Sequence, residues 1–221
     1  MREHLVIAVA ALAACACNCS TDLKTDAGTD AGSDAGSDAS TDAGSDSNLG
    51  AKVGSGFDTS DDGWTIVGDA QARTVKPDFS GIGGNPDGLI SAKDDVAGGV
   101  WYFKAPSRYL GDNSSTYGQL LSFDLTVTPI TNPFDYVDVI LEGDGLTVVY
   151  DTSPAPGTSW TTFSVPLSEA GWKMDALSGA AASAADFKRV LVHMTNFQIR
   201  GEFNTGPDTG SLDNVRFGLK P

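Results

Sequence analysis

Hydrophobic and polar residues alternate with a period of two along much of the chain. Residues 121–127 place Leu, Phe, Leu and Val at every second position, with Ser, Asp and Thr between them. Residues 137–150 alternate on both sides of a Gly-Asp-Gly sequence, and 163–167 and 215–219 alternate as well. Because neighbouring side chains of a strand point to opposite faces, this pattern predicts half-buried strands, with a hairpin turn at 143–145.

Further strands are predicted at residues 98–103 and 190–203, and one helix in the alanine-rich stretch 176–188. Many short runs are separated by Gly and Pro, without the regular strand–helix alternation of parallel sheets. This organisation predicts an all-β fold, an antiparallel jelly-roll β-sandwich with one short helix.

The predicted folded domain, residues 49–221, is acidic and contains no cysteine. It has twelve Lys and Arg residues against 21 Asp and Glu residues, within a formal net charge of −15 for the 221-residue chain. A surface of that sign argues against nucleic acid and against direct adsorption to anionic lipid. It suits divalent cations, basic partners or neutral glycans.

The chain begins with a short charged sequence and an apolar run, residues 5–14, that is too short to span a bilayer as a helix. This pattern predicts a secretory signal peptide over residues 1–14. The sequence "LAAC", ending at Cys15, resembles the lipobox of bacterial lipoproteins. The resemblance implies that Cys15 becomes the first mature residue and carries the lipid anchor; an ordinary cleaved export signal is the alternative.

Residues 15–48 form an Asp-rich segment built on TDAG and SDAG repeats. From residue 25 onward it has no aromatic or β-branched aliphatic residue with which to build a core, so we expect an extended, solvated spacer. A calcium-binding repeat is the alternative, but the aliphatic position of such repeats is missing. Cys17 and Cys19 lack a nearby histidine, and their redox or lipid state stays open.

Three motifs resemble the laminin B domain, also called laminin domain IV. They are "VWYFKAPSRYLGDNSSTYGQLLSFDL", "VDVILEGDGLTVVY" and "GSLDNVRFG", and their order and spacing hold from about residue 57 to residue 218. The resemblance implies an extracellular module whose sandwich is similar to bacterial carbohydrate-binding modules of the galactose-binding type. In a Gram-negative cell, an aspartate after the lipidated cysteine would resemble an inner-membrane retention signal, and here Ala16 stands in that position. Together with the lipid anchor, the resemblance therefore implies an exported protein at the outer membrane or cell surface.

Asp213 is a candidate metal ligand. It is in phase with Val215, Phe217 and Leu219, so we expect its carboxylate to turn inward with them. A buried carboxylate needs a cation or several hydrogen-bond donors; a turn cap or an arginine partner is the alternative.

The ends of the domain, "GFDTSDDGWTIVGDAQA" and "SLDNVRF", resemble those of carbohydrate-binding modules, where acidic groups hold a structural calcium ion. Calcium binds carboxylate and carbonyl oxygens, which the loop 83–88 also supplies. We therefore expect a structural Ca²⁺ site drawn from Asp213, Asp58, Asp95 and Asn85, and no catalytic cofactor.

Catalytic machinery is not evident. His193 is the single histidine after the predicted signal peptide, lies in a strand-like run and is expected to be half-buried; no G-x-S-x-G motif is present. The adjacent acids at 61–62 and 94–95 are expected to point apart into solvent. The sequence thus predicts a protein that is not an enzyme.

The remaining hypotheses are an adhesion or recognition module with a protein partner and a carbohydrate-binding module with a glycan groove. Sugars stack on exposed aromatic rings, and Tyr136 and Phe134, in the polar loop 132–136, are the candidates for exposure. The four tryptophans are expected mostly in the core. The identity of the ligand and the oligomeric state stay open.

Overall fold

The structure, a computed structural model, describes residues 50–71, 75–95 and 98–221. All of them belong to the C-terminal unit of the chain, Ala43–Pro221. The predicted signal peptide, Cys15, the spacer and the domain boundary at residue 49 lie outside the described residues and stay predictions. Among the described residues, no helix has the length and apolar character needed to cross a membrane.

Two antiparallel sheets, each of six strands within the described residues, form a sandwich. Sheet A contains β1 (Val53–Ser55), β3 (Asp78–Ser80), β4 (Leu89–Asp94), β6 (Leu120–Thr128), β9 (Thr161–Pro166) and β12 (Asp208–Leu219). Sheet B contains β2 (Thr65–Val67), β5 (Tyr102–Lys104), β7 (Val139–Gly143), β8 (Leu146–Tyr150), β10 (Lys173–Met174) and β11 (Met194–Arg200). The one α-helix of the described residues, α1, spans Ala184–Val192, and two 3₁₀ helices span Ser107–Tyr109 and Ser114–Thr116.

The strand order explains why the sandwich is a closed unit with one core. Sheet A runs β3-β4-β12-β6-β9, with β1 paired to β12, and sheet B runs β10-β8-β7-β11-β5-β2. From β1 to β7 the chain changes sheet at every step except between β3 and β4, which are paired neighbours, so it crosses the core repeatedly. The predicted antiparallel β-sandwich with one helix is confirmed.

The core lies between the sheets and is rich in aromatic rings. The apolar residues of β6 at positions 121, 123, 125 and 127 are all buried, as their alternation predicts. Phe197 of sheet B contacts Phe217 of sheet A, with ring centroids 5.4 Å apart, and also contacts Trp64 and Tyr109 at 5.8 and 5.7 Å. These tilted and edge-to-face contacts connect the two sheets at the centre of the molecule.

The predicted hairpin is present as β7 and β8. Asp144 and Gly145 connect the strands, and both have positive φ angles, 52° and 72°. Two consecutive positive φ values are the signature of the type I′ turn, whose twist matches that of the paired strands.

The helix begins later than the alanine content predicts. Ser183 caps α1, because its side chain accepts a hydrogen bond from the backbone N–H of Asp186 at 3.1 Å. The preceding residues form a tight turn, in which a Cβ on Gly179 would lie 1.8 Å from the carbonyl oxygen of Met174. The helix then runs to Val192, so the predicted strand starts only at residue 194, and His193 is an exposed residue at the helix end.

Strand β12 contains a β-bulge that changes which face each residue occupies. Leu212 pairs with Leu125 and Phe217 pairs with Leu121, so both face the core, although five positions separate them along β12. The register shifts after Asp213, where Asn214 has a φ of 50°. One extra residue reverses the alternation of a strand.

The bulge makes the predicted orientation of Asp213 wrong. Asp213 pairs with Asp124, whose side chain is on the face of β6 opposite to the core residues. The carboxylate therefore points to the outer face of sheet A and does not share the core face of Val215 and Phe217. Asp213 is nevertheless fully buried, with 0% of its surface exposed.

Candidate functional site

Asp124 and Asp213 form a buried acid pair beneath the loop 83–88, on the outer face of sheet A. The backbone N–H of Asn85 donates to Asp213 Oδ2 at 2.6 Å. A Cβ on Gly84 would lie 2.6 Å from that same oxygen and 1.9 Å from the carbonyl oxygen of Gly88. Because any side chain at position 84 would collide with these atoms, glycine is what allows the loop to close over the acid pair.

Amide groups from two asparagines satisfy the acid pair. Asn214 donates its backbone N–H to Asp213 Oδ1 at 2.6 Å and its side-chain amide to Asp124 Oδ2 at 2.9 Å. The side-chain amide of Asn85 donates to the same Asp124 oxygen at 3.2 Å. Hydrogen-bond donors are thus present around the buried carboxylates, one of the two remedies that the sequence left open.

These donors do not offset the effect of burial on Asp213. Burial raises the pKa of its carboxyl to about 6, although the backbone amides of Asn85 and Asn214 lower that pKa. The negative charges of Asp124 and Asp58 raise the pKa of Asp213 further. A positive charge at the acid pair would therefore stabilise the ionised form of Asp213.

The groups around the acid pair fit a calcium ion. Calcium binds six to eight oxygens from carboxylates, amides, backbone carbonyls and water. The side-chain amides of Asn85 and Asn214 present oxygens instead of N–H groups after a 180° rotation, and Asn85 O already contacts the Asn214 amide. Within the described residues, no three Asp, Glu, His or Cys side chains are gathered for a metal ion, so this donor set relies on amides and carbonyls.

The structure brings together part of the predicted calcium set. Asp213 and Asn85 are in contact, and half-buried Asp58 is near enough to raise the pKa of Asp213. Asp95 does not join them: it is exposed and lines a different cleft. Sequence analysis missed Asp124 and Asn214, because their position beside Asp213 depends on the strand register and the bulge.

The two aromatic residues predicted for ligand binding have different surroundings. Phe134 is half-buried, and its ring centroid lies 4.4 Å from the guanidinium of Arg200. That guanidinium is itself buried, forms a salt bridge with Asp138 at 3.2 Å, and donates to the carbonyl oxygen of Phe134. Tyr136, in contrast, is 48% exposed, so it is the member of the pair with a ring available to solvent.

Tyr136 borders a groove on the outer face of sheet B. Register pairs Ile140–Val149 and Glu142–Thr147 place the outward side chains of β7 and β8 together. The groove has a volume of about 250 Å³. It is lined by Val100, Tyr102, Tyr136, Val137, Ile140, Glu142, Thr147, Val149 and Asp175.

Polar groups in the groove are held in place by the surrounding chain. Tyr102 donates its hydroxyl to the carbonyl oxygen of Val137 at 3.0 Å. Burial raises the pKa of Tyr102 well above its ordinary value, and the neighbouring Tyr136 raises it further. The hydroxyl of Tyr102 therefore stays protonated. The groove therefore combines aromatic and aliphatic surface with the polar side chains of Glu142 and Thr147, a mixture typical of small-ligand sites.

Comparison with known families identifies the domain. The chain matches the family model Laminin B (Domain IV) over residues 102–219. This chain belongs to the laminin B family. The resemblance found in the sequence motifs is thereby confirmed.

The similar curated proteins are laminin subunits. Laminin subunit gamma-1 of Danio rerio is 29% identical over 171 residues, which cover 74% of this chain and 10% of the laminin chain. Laminin subunit gamma-2 of Homo sapiens is 33% identical over 124 residues, or 52% of this chain and 10% of the laminin chain. This laminin B chain thus spans about a tenth of the length of the relatives it matches.

A solved laminin structure shares the fold of this laminin B domain. The L4b domain of human laminin alpha-2 superposes with a TM-score of 0.54 and 14% identity, covering 69% of this chain and 89% of that domain. A family 11 carbohydrate-binding module of a cellulosomal cellulase from Clostridium thermocellum gives a TM-score of 0.44 at 16% identity, over 72% and 88% of the two chains.

Proposed function

We propose that the chain is an exported protein, anchored by lipid on Cys15, that presents its laminin B domain as a non-catalytic recognition module. The observation that carries this proposal is the groove on sheet B, where Tyr136 offers an exposed ring beside fixed polar groups. Its partner is an extracellular glycan or protein.

The groove favours a glycan over a protein as partner. Its volume is below the roughly 300–1,000 Å³ of sites that enclose a whole small molecule, and it is open to solvent, so it fits a short part of a longer polymer. An aromatic ring with polar neighbours contacts both the apolar face and the hydroxyls of a sugar. Because acidic residues outnumber basic ones in the domain, we expect a neutral glycan and weak binding of sulfated ones.

Tyr136→Ala is expected to weaken binding to neutral glycans at least about fivefold, since an aromatic contact is worth about 1 kcal/mol beyond its buried area. The full chain is probed on an array of neutral and sulfated glycans, and affinities for the bound glycans are measured. Phe79→Ala is the matched control, because Phe79 is an exposed aromatic residue on sheet A. Absence of glycan binding, or equal losses in the two variants, would contradict a glycan groove.

Cys15→Ser is expected to move the protein from the membrane fraction to the soluble fraction. Stable retention requires two or more acyl chains, and the proposed acceptor of these chains is Cys15. Fractionation with detection of the chain measures the distribution, and Cys17→Ser is the matched control that should stay with the membrane. An unchanged membrane fraction for the Cys15 variant refutes the anchor.

We also propose that the acid pair of Asp124 and Asp213 binds a structural Ca²⁺ ion with the amide oxygens of Asn85 and Asn214. Two observations support this site: the Asp213 carboxylate is fully buried, and the asparagine side-chain amides beside it can present either an oxygen or a nitrogen. A bound ion would join the loop 83–88 to β6 and β12. Asp58 and solvent would complete the oxygen ligands.

Calcium is expected to raise the melting temperature of the full chain by about 5–10 °C at a concentration 100-fold above the dissociation constant. The Asp213→Asn variant should lose most of the rise in melting temperature that this site contributes, because the substitution removes a charged oxygen ligand. Melting is followed by circular dichroism with calcium chloride and with a chelator. Equal shifts in the parent and in Asp213→Asn would exclude calcium at the acid pair.

A further inference from the structure

A second group of acids lies around a cleft at one end of the sandwich, where the chain passes from β11 into β12. The cleft has a volume of about 490 Å³ and is bordered by residues 98–100 and 205–207. Asp94, Asp95 and Glu202 also line it. Val100 also lines the groove, but none of these residues belongs to the acid pair, so this acidic cleft is distinct from the acid pair.

Asp69, the residue two positions after β2, directs a buried carboxylate toward the acidic cleft. It is 5% exposed, and both of its carboxylate oxygens are buried without a hydrogen-bond donor. A Cβ on Gly98, which borders the cleft, would lie 1.8 Å from Asp69 Oδ2. The carboxylate therefore packs directly against this glycine, whose missing side chain leaves room for it.

Asp208 and Glu202 add two more incompletely satisfied carboxylates. Asp208 is 2% exposed; its Oδ2 accepts hydrogen bonds from the N–H groups of Phe203 and Asn204 at 3.2 and 3.1 Å, while its buried Oδ1 has no donor. Glu202 Oε2 is also buried without a donor. Asp208 lies directly opposite the buried Asp94 in the β4–β12 register, and like charges at such a pair repel.

The acids act on one another electrostatically. Burial raises the pKa of Glu202 to about 7, and the charges of Asp94, Asp208 and Asp69 raise it in addition. Burial likewise raises the pKa of Asp208 to about 6, with a further increase from Asp94. The charge of Asp94 thus acts on both Glu202 and Asp208, and the charge of Asp69 acts on Glu202.

Arg200, a cation of the described residues near the acidic cleft, is committed elsewhere. Arg200 lowers the pKa of Asp208 slightly, but its guanidinium is paired with Asp138 and stacked between Phe134 and Phe203 at 4.4 and 4.2 Å. The negative charge of the acidic cleft is therefore not balanced by this side chain. A group of buried carboxylates in this situation requires an added positive charge or loss of its own charge.

We propose that the acidic cleft binds a calcium-like divalent cation through Asp69, Glu202 and Asp208. Each of the three has a buried carboxylate oxygen without a donor. Glu202 lines the cleft, Asp69 packs against Gly98 at its border, and Asp208 directly follows Pro207, which also lines it. The described residues hold no three such side chains already gathered at metal-binding distances, so the ion draws the carboxylates together and keeps water among its ligands. This arrangement corresponds to the affinity range of extracellular calcium modules, about 10⁻⁴–10⁻³ M.

The test compares the full chain with the double variant Asp69→Asn/Glu202→Gln by thermal melting in chelator and in about 10 mM calcium chloride. In chelator the double variant should melt at the same or a higher temperature than the parent, because it removes repulsion between carboxylates. In calcium the parent should gain about 3–10 °C from this site, and the order of the two proteins should reverse. Asp135→Asn, which removes one negative charge from an exposed residue, is the control for a loss of acidic charge and should leave both melting temperatures unchanged.

An equal calcium-dependent rise in the melting temperatures of the parent and the double variant would overturn the proposal. A double variant that melts below the parent by the same amount in chelator and in calcium would also overturn it. If the double variant does not fold, terbium luminescence of the Asp213→Asn variant decides. Trp101 packs against Gly201, next to Glu202, and is placed to sensitise a bound ion. Emission that calcium displaces is the expected result; no displaceable emission refutes the cleft site. The Asp213→Asn background separates this result from calcium at the acid pair.

Discussion

The extra residue in β12, at Asn214, determines which side chains the C-terminal strand contributes to the core. β12 is the longest strand of the described residues, and it pairs with β1, β4 and β6, so its phase is fixed along sheet A. Without the bulge, Leu212 and Phe217 could not both face sheet B. With it, both do, and Asp213, next to Leu212, turns outward. Asparagine suits this position, since it tolerates a positive φ better than most residues and its amide reaches the two carboxylates.

Buried charge in this domain is treated in three ways that share one physical basis. Arg200 and Asp138 form an ion pair enclosed by aromatic rings, and Thr152 donates to Asp138 as well, so each charge has partners. The acid pair is held by amide donors, whose effect is weaker than that of burial. At the acidic cleft, within the described residues, both carboxylate oxygens of Asp69 and one each of Glu202 and Asp208 are buried without a donor. Because the domain as a whole is acidic, cations from solution are the natural partners of the last two.

Alternation of residues predicted most of the sandwich, because strands and their turns are local features. The hairpin of β7 and β8 and the core positions of β6 follow from a period of two and from turn chemistry. The start of α1 was misjudged, since the cap at Ser183 and the turn before it outweigh the alanine content. The face of Asp213 was also misjudged, because a bulge leaves no mark in the local hydrophobic pattern.

The sites were less predictable than the fold because they join distant segments. Tyr136 was placed correctly on the surface, but the other groove residues are outward positions of strands whose pairing had to be known. Asp69, Glu202 and Asp208 come from the ends of different strands, and only the topology brings them together.

Equilibrium urea denaturation of Asp213→Leu, measured in chelator beside the parent and Asp213→Asn, tests the central claim most directly. If the Asp213 carboxylate faces the loop 83–88, leucine leaves the N–H groups of Asn85 and Asn214 without an acceptor, at about 1–3 kcal/mol each, and adds no contact to the core. Asp213→Asn retains an acceptor oxygen and should unfold near the parent. An unfolding free energy of Asp213→Leu equal to or above that of the parent would place this side chain in the core and contradict the account.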